Sequence, residues 1–269
     1  MGNRSVEENG QTQASWRDTA SDTVPLIQLR DVVKTYCTPA GDARALMGIN
    51  ADFHRGEFVG IFGRSGAGKS TLVNMITGVD RLTSGQVRIG DTIVNELSEN
   101  QMAQWRGRNL GIVYQTFELM PTLSLLDNVI LPMDMCGVYR PRASARRAMA
   151  LLEQVELEEH AHKRPSQISG GQQQRVAIAR ALANDPEIIV ADEPTGSLDS
   201  VTAGMILDIF ESLVRQGKTI VMVTHDESLR QLVSHVLRIA DGEIVEDDHP
   251  PHRNEPTQGR PGVHLEVPK

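Results

Sequence analysis

The sequence predicts an α/β fold built on a parallel sheet, and three observations carry that expectation. Short apolar runs of buried-strand type, "GEFVGIF", "EIIVADE" and "TIVMVT", alternate with segments whose apolar residues recur at helical spacing. The last two runs are joined by "AGMILDIFESLVRQG", in which Met205, Ile206, Ile209, Phe210, Leu213 and Val214 share a helical face that Gly217 ends. A strand–helix–strand unit of this length makes its strands parallel neighbours. Finally, a glycine-rich turn separates "GEFVGIF" from the helical "KSTLVNMITGV", and the order strand, loop, helix suits phosphate.

In chain order, "IQLRDVVKTY" and "GEFVGIF" read as strands, and "KSTLVNMITGV" as a helix stopped near Gly78. "SGQVRIGDTIV" reads as a short hairpin, because β-branched residues flank its turn signals. Helical patterns dominate from about 123 to 165. Within them "YRPRASARR" groups Arg140, Arg142, Arg146 and Arg147, a set that suits either a solvated helix face or lipid headgroups. "PSQISGGQQQRVAIARAL" starts another helix. Ser169 with Gln172 three residues later fits a capping box, and the same amides with the helix dipole suit an anion; the stretch alone leaves both uses open.

Both ends are polar. Residues 1–24 and 247–269, the latter including "DDHPPHRNEPTQGRPG", are expected to be disordered; His249 and His252 could bind a metal, but they read as a solvated His/Pro segment and are given no role. Between them, a chain of 269 residues with 39% hydrophobic content has material for one sizeable core. The net charge of -8 argues against a nucleic-acid partner, which clustered positive charge would grip. Cys37 and Cys136 stand far apart and form no CxxC or Cys/His cluster, so a reducing compartment is the simplest setting. No apolar run approaches the roughly 18 residues of a spanning helix; Asp127 and Asn128 interrupt "LSLLDNVILPM". The opening "MGNRSVEENG" has no hydrophobic signal core, and Val6 breaks the myristoylation pattern. Membrane attachment is therefore expected only through a partner.

The chemistry concentrates in three places. "GRSGAGKST" fits G-x-x-x-x-G-K-S, with Gly63, Gly68, Lys69 and Ser70 at the fixed positions and Arg64, Ser65, Gly66, Ala67 and Thr71 completing the loop. Glycines let successive amides turn around phosphate oxygens, Lys69 neutralises β/γ charge, and the Ser70 hydroxyl suits Mg²⁺. "EIIVADEP" ends a buried strand in two adjacent carboxylates, a costly arrangement unless they meet a cation or a reaction. Asp192 suits the Mg²⁺ shell, and Glu193 suits the base that polarises an attacking water. His225 follows "TIVMVT" and is placed by the strand–helix–strand unit at the carboxyl end of the neighbouring strand, where α/β sheets bind ligands.

The order of these motifs resembles that of the ATP-binding-cassette ATPases over about residues 26 to 246. The resemblance implies a P-loop NTPase (RecA-like) core with an antiparallel β subdomain and an α-helical subdomain, the ATPase domain spanning 25–246 and its helical part about 116–165. It implies ATP and Mg²⁺ as ligands. Ser169, Gly170, Gly171 and Gln172 match that family's signature motif, with Ile168 in place of the usual leucine. Gln115 in "GIVYQTFELMP" resembles the glutamine-loop residue that contacts Mg²⁺ or water. "GSLD", ending at Asp199, is similar to the loop bridging two nucleotide sites, and Tyr36 matches the aromatic that stacks on adenine, a buried strand-end tyrosine being the alternative. In the family two cassettes sandwich ATP head to tail, so the signature of one chain completes the phosphate loop of another. The implied partners are a second cassette, as a homodimer, and an integral membrane permease that holds the chain at the cytoplasmic face of the membrane. "YQTFELMPTLSLLDNVILPM" and "ADEPTGSLD" resemble the lipoprotein-release, macrolide-export and cell-division subfamily, with Tyr114 for the commoner Phe and Glu118 where Asn is frequent. The output is then transport or, as in the cell-division members, signalling across the membrane. A soluble cassette acting on DNA or ribosomes would carry a coiled-coil insertion or a second cassette, and this sequence has neither.

Overall fold

The computed structural model describes residues 24–39 and 41–249. The expectation of disorder for 1–24 falls almost wholly outside the described residues, as does that for 250–269.

Among the described residues sixteen strands and α-helices follow one another: β1 (Ile27–Thr38), β2 (Gly41–Phe53), β3 (Phe58–Phe62), α1 (Lys69–Thr77), β4 (Ser84–Ile89), β5 (Thr92–Ile93), α2 (Glu99–Asn109), β6 (Leu110–Val113), α3 (Leu125–Met135), α4 (Pro141–Gln154), α5 (Gly170–Ala181), β7 (Ile188–Asp192), α6 (Ser200–Arg215), β8 (Thr219–Thr224), β9 (His235–Ala240) and β10 (Glu243–Asp248). The central sheet has the order β10-β9-β3-β8-β7-β6, parallel except for β10. A second sheet, β2-β1-β4-β5, is antiparallel throughout. β7 and β8 are parallel neighbours joined by α6, as the sequence predicted, and β4 with β5 forms the expected hairpin.

Strand alternation sorts the core into two layers on either side of the central sheet. Ile189, Ala191, Ile220, Met222, Phe58 and Phe62 face one way and pack with α3, α4, α5 and α6. Ile188, Val190, Val221, Val223, Val59 and Ile61 face the other and pack with α1 and the antiparallel sheet. Because both faces are covered, β3, β7 and β8 read as continuous apolar runs and not as alternating ones.

One expectation is corrected. Residues from 247 onward were expected to be a disordered tail, yet Asp247 and Asp248 close strand β10, pairing with Leu237 and Val236. Their charge is held by partners that lie apart in sequence: Asp247 Oδ1 is 2.7 Å from His235 Nε2, and Asp248 Oδ2 is 3.6 Å from the Arg230 guanidinium.

Candidate nucleotide site

Parallel strands deliver their carboxyl ends to one edge of the sheet, and there the predicted residues meet. β3 runs into the loop 63–68, which opens onto α1. Gly63 (φ 153°) and Gly68 (φ 107°) adopt conformations that side chains resist. A Cβ on Gly63 would stand 2.3 Å from the Ile239 carbonyl oxygen, and one on Gly68 would stand 2.6 Å from that of Ala45. The loop is also braced from outside, since the Gly242 amide donates to the Ala67 carbonyl at 3.0 Å. Lys69 is buried, and its ammonium donates to the Gly63 and Arg64 carbonyls at 2.9 and 3.0 Å, arching the loop over itself. Arg64, Ser65, Gly66 and Ser70 are exposed, with Thr71 half-buried behind them.

The Ser70 hydroxyl donates to Asp192 Oδ1 at 3.3 Å, linking the start of α1 to the end of β7. Burial, with Glu193 adjacent, raises the Asp192 pKa above the ordinary carboxylate value despite that bond and Lys69. Such a carboxylate gains most from a cation. Ser70 and Asp192 supply hard oxygen donors of the kind Mg²⁺ takes, so the residues fit the ion that the motif implies.

Glu193 has left-handed backbone geometry (φ 46°), unusual for a residue with a side chain, and its amide donates to the Val223 carbonyl at 3.0 Å. Its Oε2 lies 3.1 Å from His225 Nδ1, just past the end of β8, so the two strand ends share one polar contact. Gln115, two residues past β6, converges from the other side. A Cβ placed on Gly196 would sit 3.3 Å from Glu193 Oε2 and 3.4 Å from Gln115 Nε2, so this glycine leaves the space in which both side chains end.

Tyr36 is linked to the loop only indirectly, along β2. Ala45 lies against Gly68, and two residues earlier Ala43 pairs with Tyr36. The tyrosine is 37% exposed. Its hydroxyl donates to Asp80 Oδ2 at 3.0 Å, and Lys34 Nζ lies 4.7 Å from the ring centroid.

Among the described residues, Ser169, Gly170, Gly171, Gln172 and Asp199 form no hydrogen bond to this cluster. The predicted capping box is present: Ser169 Oγ accepts from the Gln172 amide at 3.3 Å, and Gln172 Oε1 accepts from the Ser169 amide at 2.9 Å. Asp199 caps α6, accepting from the Val201 and Thr202 amides and, at 2.6 Å, from the Thr202 hydroxyl. Those bonds, with Thr202 first, hold its carboxyl below the usual range. Gly171 and Thr202 abut, a Cβ on the former being only 2.3 Å from Cγ2 of the latter, so the starts of α5 and α6 form one exposed surface.

Residues outside the sequence-based set connect that surface to the cluster. Gln174 is fully buried and donates to the Pro194 carbonyl at 2.9 Å, one residue past Glu193. Arg180 donates to the Phe117 carbonyl at 2.9 Å and to that of Glu118, holding the segment that follows Gln115. Gln174 had a signal in the sequence: it falls on the face of α5 that also carries Ala177 and Ile178, a polar residue on an apolar stripe. Gly196, Arg180 and Thr202 had none, because their neighbours lie elsewhere in the chain.

The ABC transporter family profile matches residues 46–196, more than half of the chain. This chain belongs to the ABC transporter family. Its cassette is 46% identical, over 81% of this chain and 93% of the relative, to an uncharacterized ABC transporter ATP-binding protein of Thermotoga maritima. It is 45% identical, over 81% of its length, to the macrolide export ATP-binding/permease protein MacB of Syntrophobacter fumaroxidans, of which it spans only 31%. Among solved structures, the cassette MJ0796, whose sequence is from Methanocaldococcus jannaschii, is dimeric in a post-hydrolysis state bound to ADP and Pi. It superimposes with a TM-score of 0.78 at 40% identity, covering 83% of this chain and 98% of that one.

Proposed function

We propose that this chain is the ATP-hydrolysing subunit of an ABC transporter of the export or lipoprotein-release type, working as a head-to-tail dimer on a separate permease. The observation that carries the reading is the convergence of loop 63–71, Asp192, Glu193, His225 and Gln115 at the carboxyl ends of four adjacent parallel strands. Loop amides and Lys69 hold the β- and γ-phosphates, while Tyr36 offers a ring face to adenine. Mg²⁺ bound at Ser70 and Asp192, with Gln115 nearby, supplies neutralisation of phosphate charge. Glu193 accepts the proton of the attacking water, and His225, anchored through Nδ1, keeps Nε2 for the γ-phosphate. Ser169 and the amides near Gly171 approach the nucleotide of a second chain, with Asp199 beside them. The dimeric ADP-bound MJ0796 relative supports this arrangement.

Attachment at the cytoplasmic face of the membrane through a permease is supported by the export relatives, which are described as ATP-binding/permease proteins. Among the described residues no helix is long and apolar enough to cross a membrane. The deciding experiment is Glu193→Gln. Loss of the base lowers hydrolysis by roughly 10²–10⁴-fold, while ATP binding persists and a dimer accumulates in light scattering. Near-normal turnover removes Glu193 as the base.

A further inference from the structure

At the opposite edge of the central sheet, three residues converge that the nucleotide site does not use. Glu57 immediately precedes β3, His235 opens β9 and His249 follows β10. The register makes this convergence: His235 pairs with Val59 across β3–β9, and β10 runs antiparallel to bring Asp248 beside Val236. At roughly 3.3 Å per residue, the length of β3 separates the group from the phosphate loop by about 15 Å.

His235 is fully buried. Its Nδ1 lies 3.3 Å from Glu57 Oε2, and its Nε2 lies 2.7 Å from Asp247 Oδ1. The His249 ring stacks on it with centroids 4.0 Å apart, and His249 Nδ1 is 3.8 Å from Glu57 Oε1. One ligand-type atom from each of Glu57, His235 and His249 fits within 4.8 Å of the others. Glu57 is itself fixed, its Oε2 accepting from the His54 amide at 2.8 Å.

We propose that Glu57, His235 and His249 form a binding site for a divalent transition-metal ion of the zinc class, with Asp247 orienting the His235 ring from behind. The donor set of two imidazole nitrogens and a carboxylate is one that zinc accepts. Ligands about 2.0–2.1 Å from a tetrahedral ion stand about 3.3 Å apart, close to the separation of His235 Nδ1 from Glu57 Oε2. The Asp247 contact to the other ring nitrogen is the carboxylate–histidine pairing that fixes a ligating imidazole. Without an ion, burial opposes charge on His235, but its bonds to Asp247 and Glu57 prevail and hold it protonated, with its pKa raised to about 9. An ion takes the place of the Nδ1 proton, which leaves to solvent, while the Nε2 proton stays on the Asp247 side. The ion would tie the end of β10 to the start of the strand that feeds the phosphate loop.

The test uses the full chain, stripped with chelator and free of nucleotide, titrated with Zn²⁺ by calorimetry and with Co²⁺ by visible absorption. One equivalent is expected to bind, raising Tm and giving the intense ligand-field bands of tetrahedral cobalt. His249→Ala, a change at an exposed residue, is expected to weaken binding by roughly tenfold or more and to abolish those bands, while its metal-free Tm stays that of the parent. Asp247→Asn is expected to cost about 10-fold, the low end of the range for an outer-shell partner. Absence of a stoichiometric Zn²⁺ isotherm overturns the proposal, as does binding that His249→Ala leaves undiminished.

Discussion

Gly196 gives the sharpest quantitative test of the hydrolytic cluster. In Gly196→Ala the new methyl meets Glu193 Oε2 at 3.3 Å, so that carboxylate end must give by a few tenths of an ångström, about 0.3 Å, whereas Gln115 Nε2 at 3.4 Å is already at ordinary contact. If a misplacement of about 1 Å costs about 10²-fold in rate, then a third of that distance costs roughly 4-fold. The fold itself has no reason to suffer, because the position lies outside the left-handed region. Removing a glycine at a compatible position stabilises by about 0.4–1 kcal/mol through the unfolded chain. Phosphate release at saturating ATP, nucleotide affinity by fluorescence titration and a melting curve together decide the matter. The expected pattern is a rate several-fold lower, unchanged affinity, and Tm equal or slightly higher. A full rate would mean that Glu193 does not work from this position. Joint loss of rate, affinity and stability would mean that the glycine serves the fold and not the reacting groups.

Gly171→Ala drives a methyl to 2.3 Å from Thr202 Cγ2 and, as overpacking, is expected to cost about 1–3 kcal/mol. Adding Thr202→Ser removes Cγ2 while keeping the hydroxyl for Asp199, and urea titration should recover most of the loss. Mixing a Ser169→Arg chain with a Lys69→Ala chain leaves one composite site intact in each mixed dimer, so the mixture should hydrolyse ATP faster than either chain alone; no gain refutes the head-to-tail geometry. Glu246, held by Arg230 and Arg238, has its pKa lowered from 4.5 to about 2. Its folded pKa is depressed, so its stabilisation is present above about pH 4.5 and is lost as pH falls toward 2. Melting curves from pH 6 to 2 should therefore show a steeper acid decline for the parent than for Glu246→Gln.

What the sequence revealed follows the range of the interactions involved. The unit β7–α6–β8 was legible because its strands are buried on both faces and its helix stripe is local. The box of Ser169 and Gln172 was legible because a cap is closed within four residues. β2 escaped notice because its first four residues are exposed and "GDARALMGINADF" shows little alternation. β9 and β10 were obscured by charge, since Arg238 and Glu246 look like solvated residues until the hairpin pairs them. The metal candidate was half legible: His249, with His252, offered a metal ligand in the sequence but was given no role beside its prolines, and only the register brings it to His235. Gly196 and Gln174 acquire meaning from partners 20 or more positions away, Gln174 from Pro194 and Gly196 from Gln115.

The bond from the Gly242 amide to the Ala67 carbonyl, with β9 alongside β3, has a consequence for synthesis on the ribosome. The glycine loop at 63–68 is made long before the strand and turn, reaching Gly242, that hold its outer side. A nascent chain is therefore expected to bind nucleotide weakly until the β9–β10 hairpin has left the exit tunnel. A product ending before Gly242 would lack that brace on the Ala67 carbonyl, and nucleotide titration of such a truncation against the full chain measures what the brace contributes.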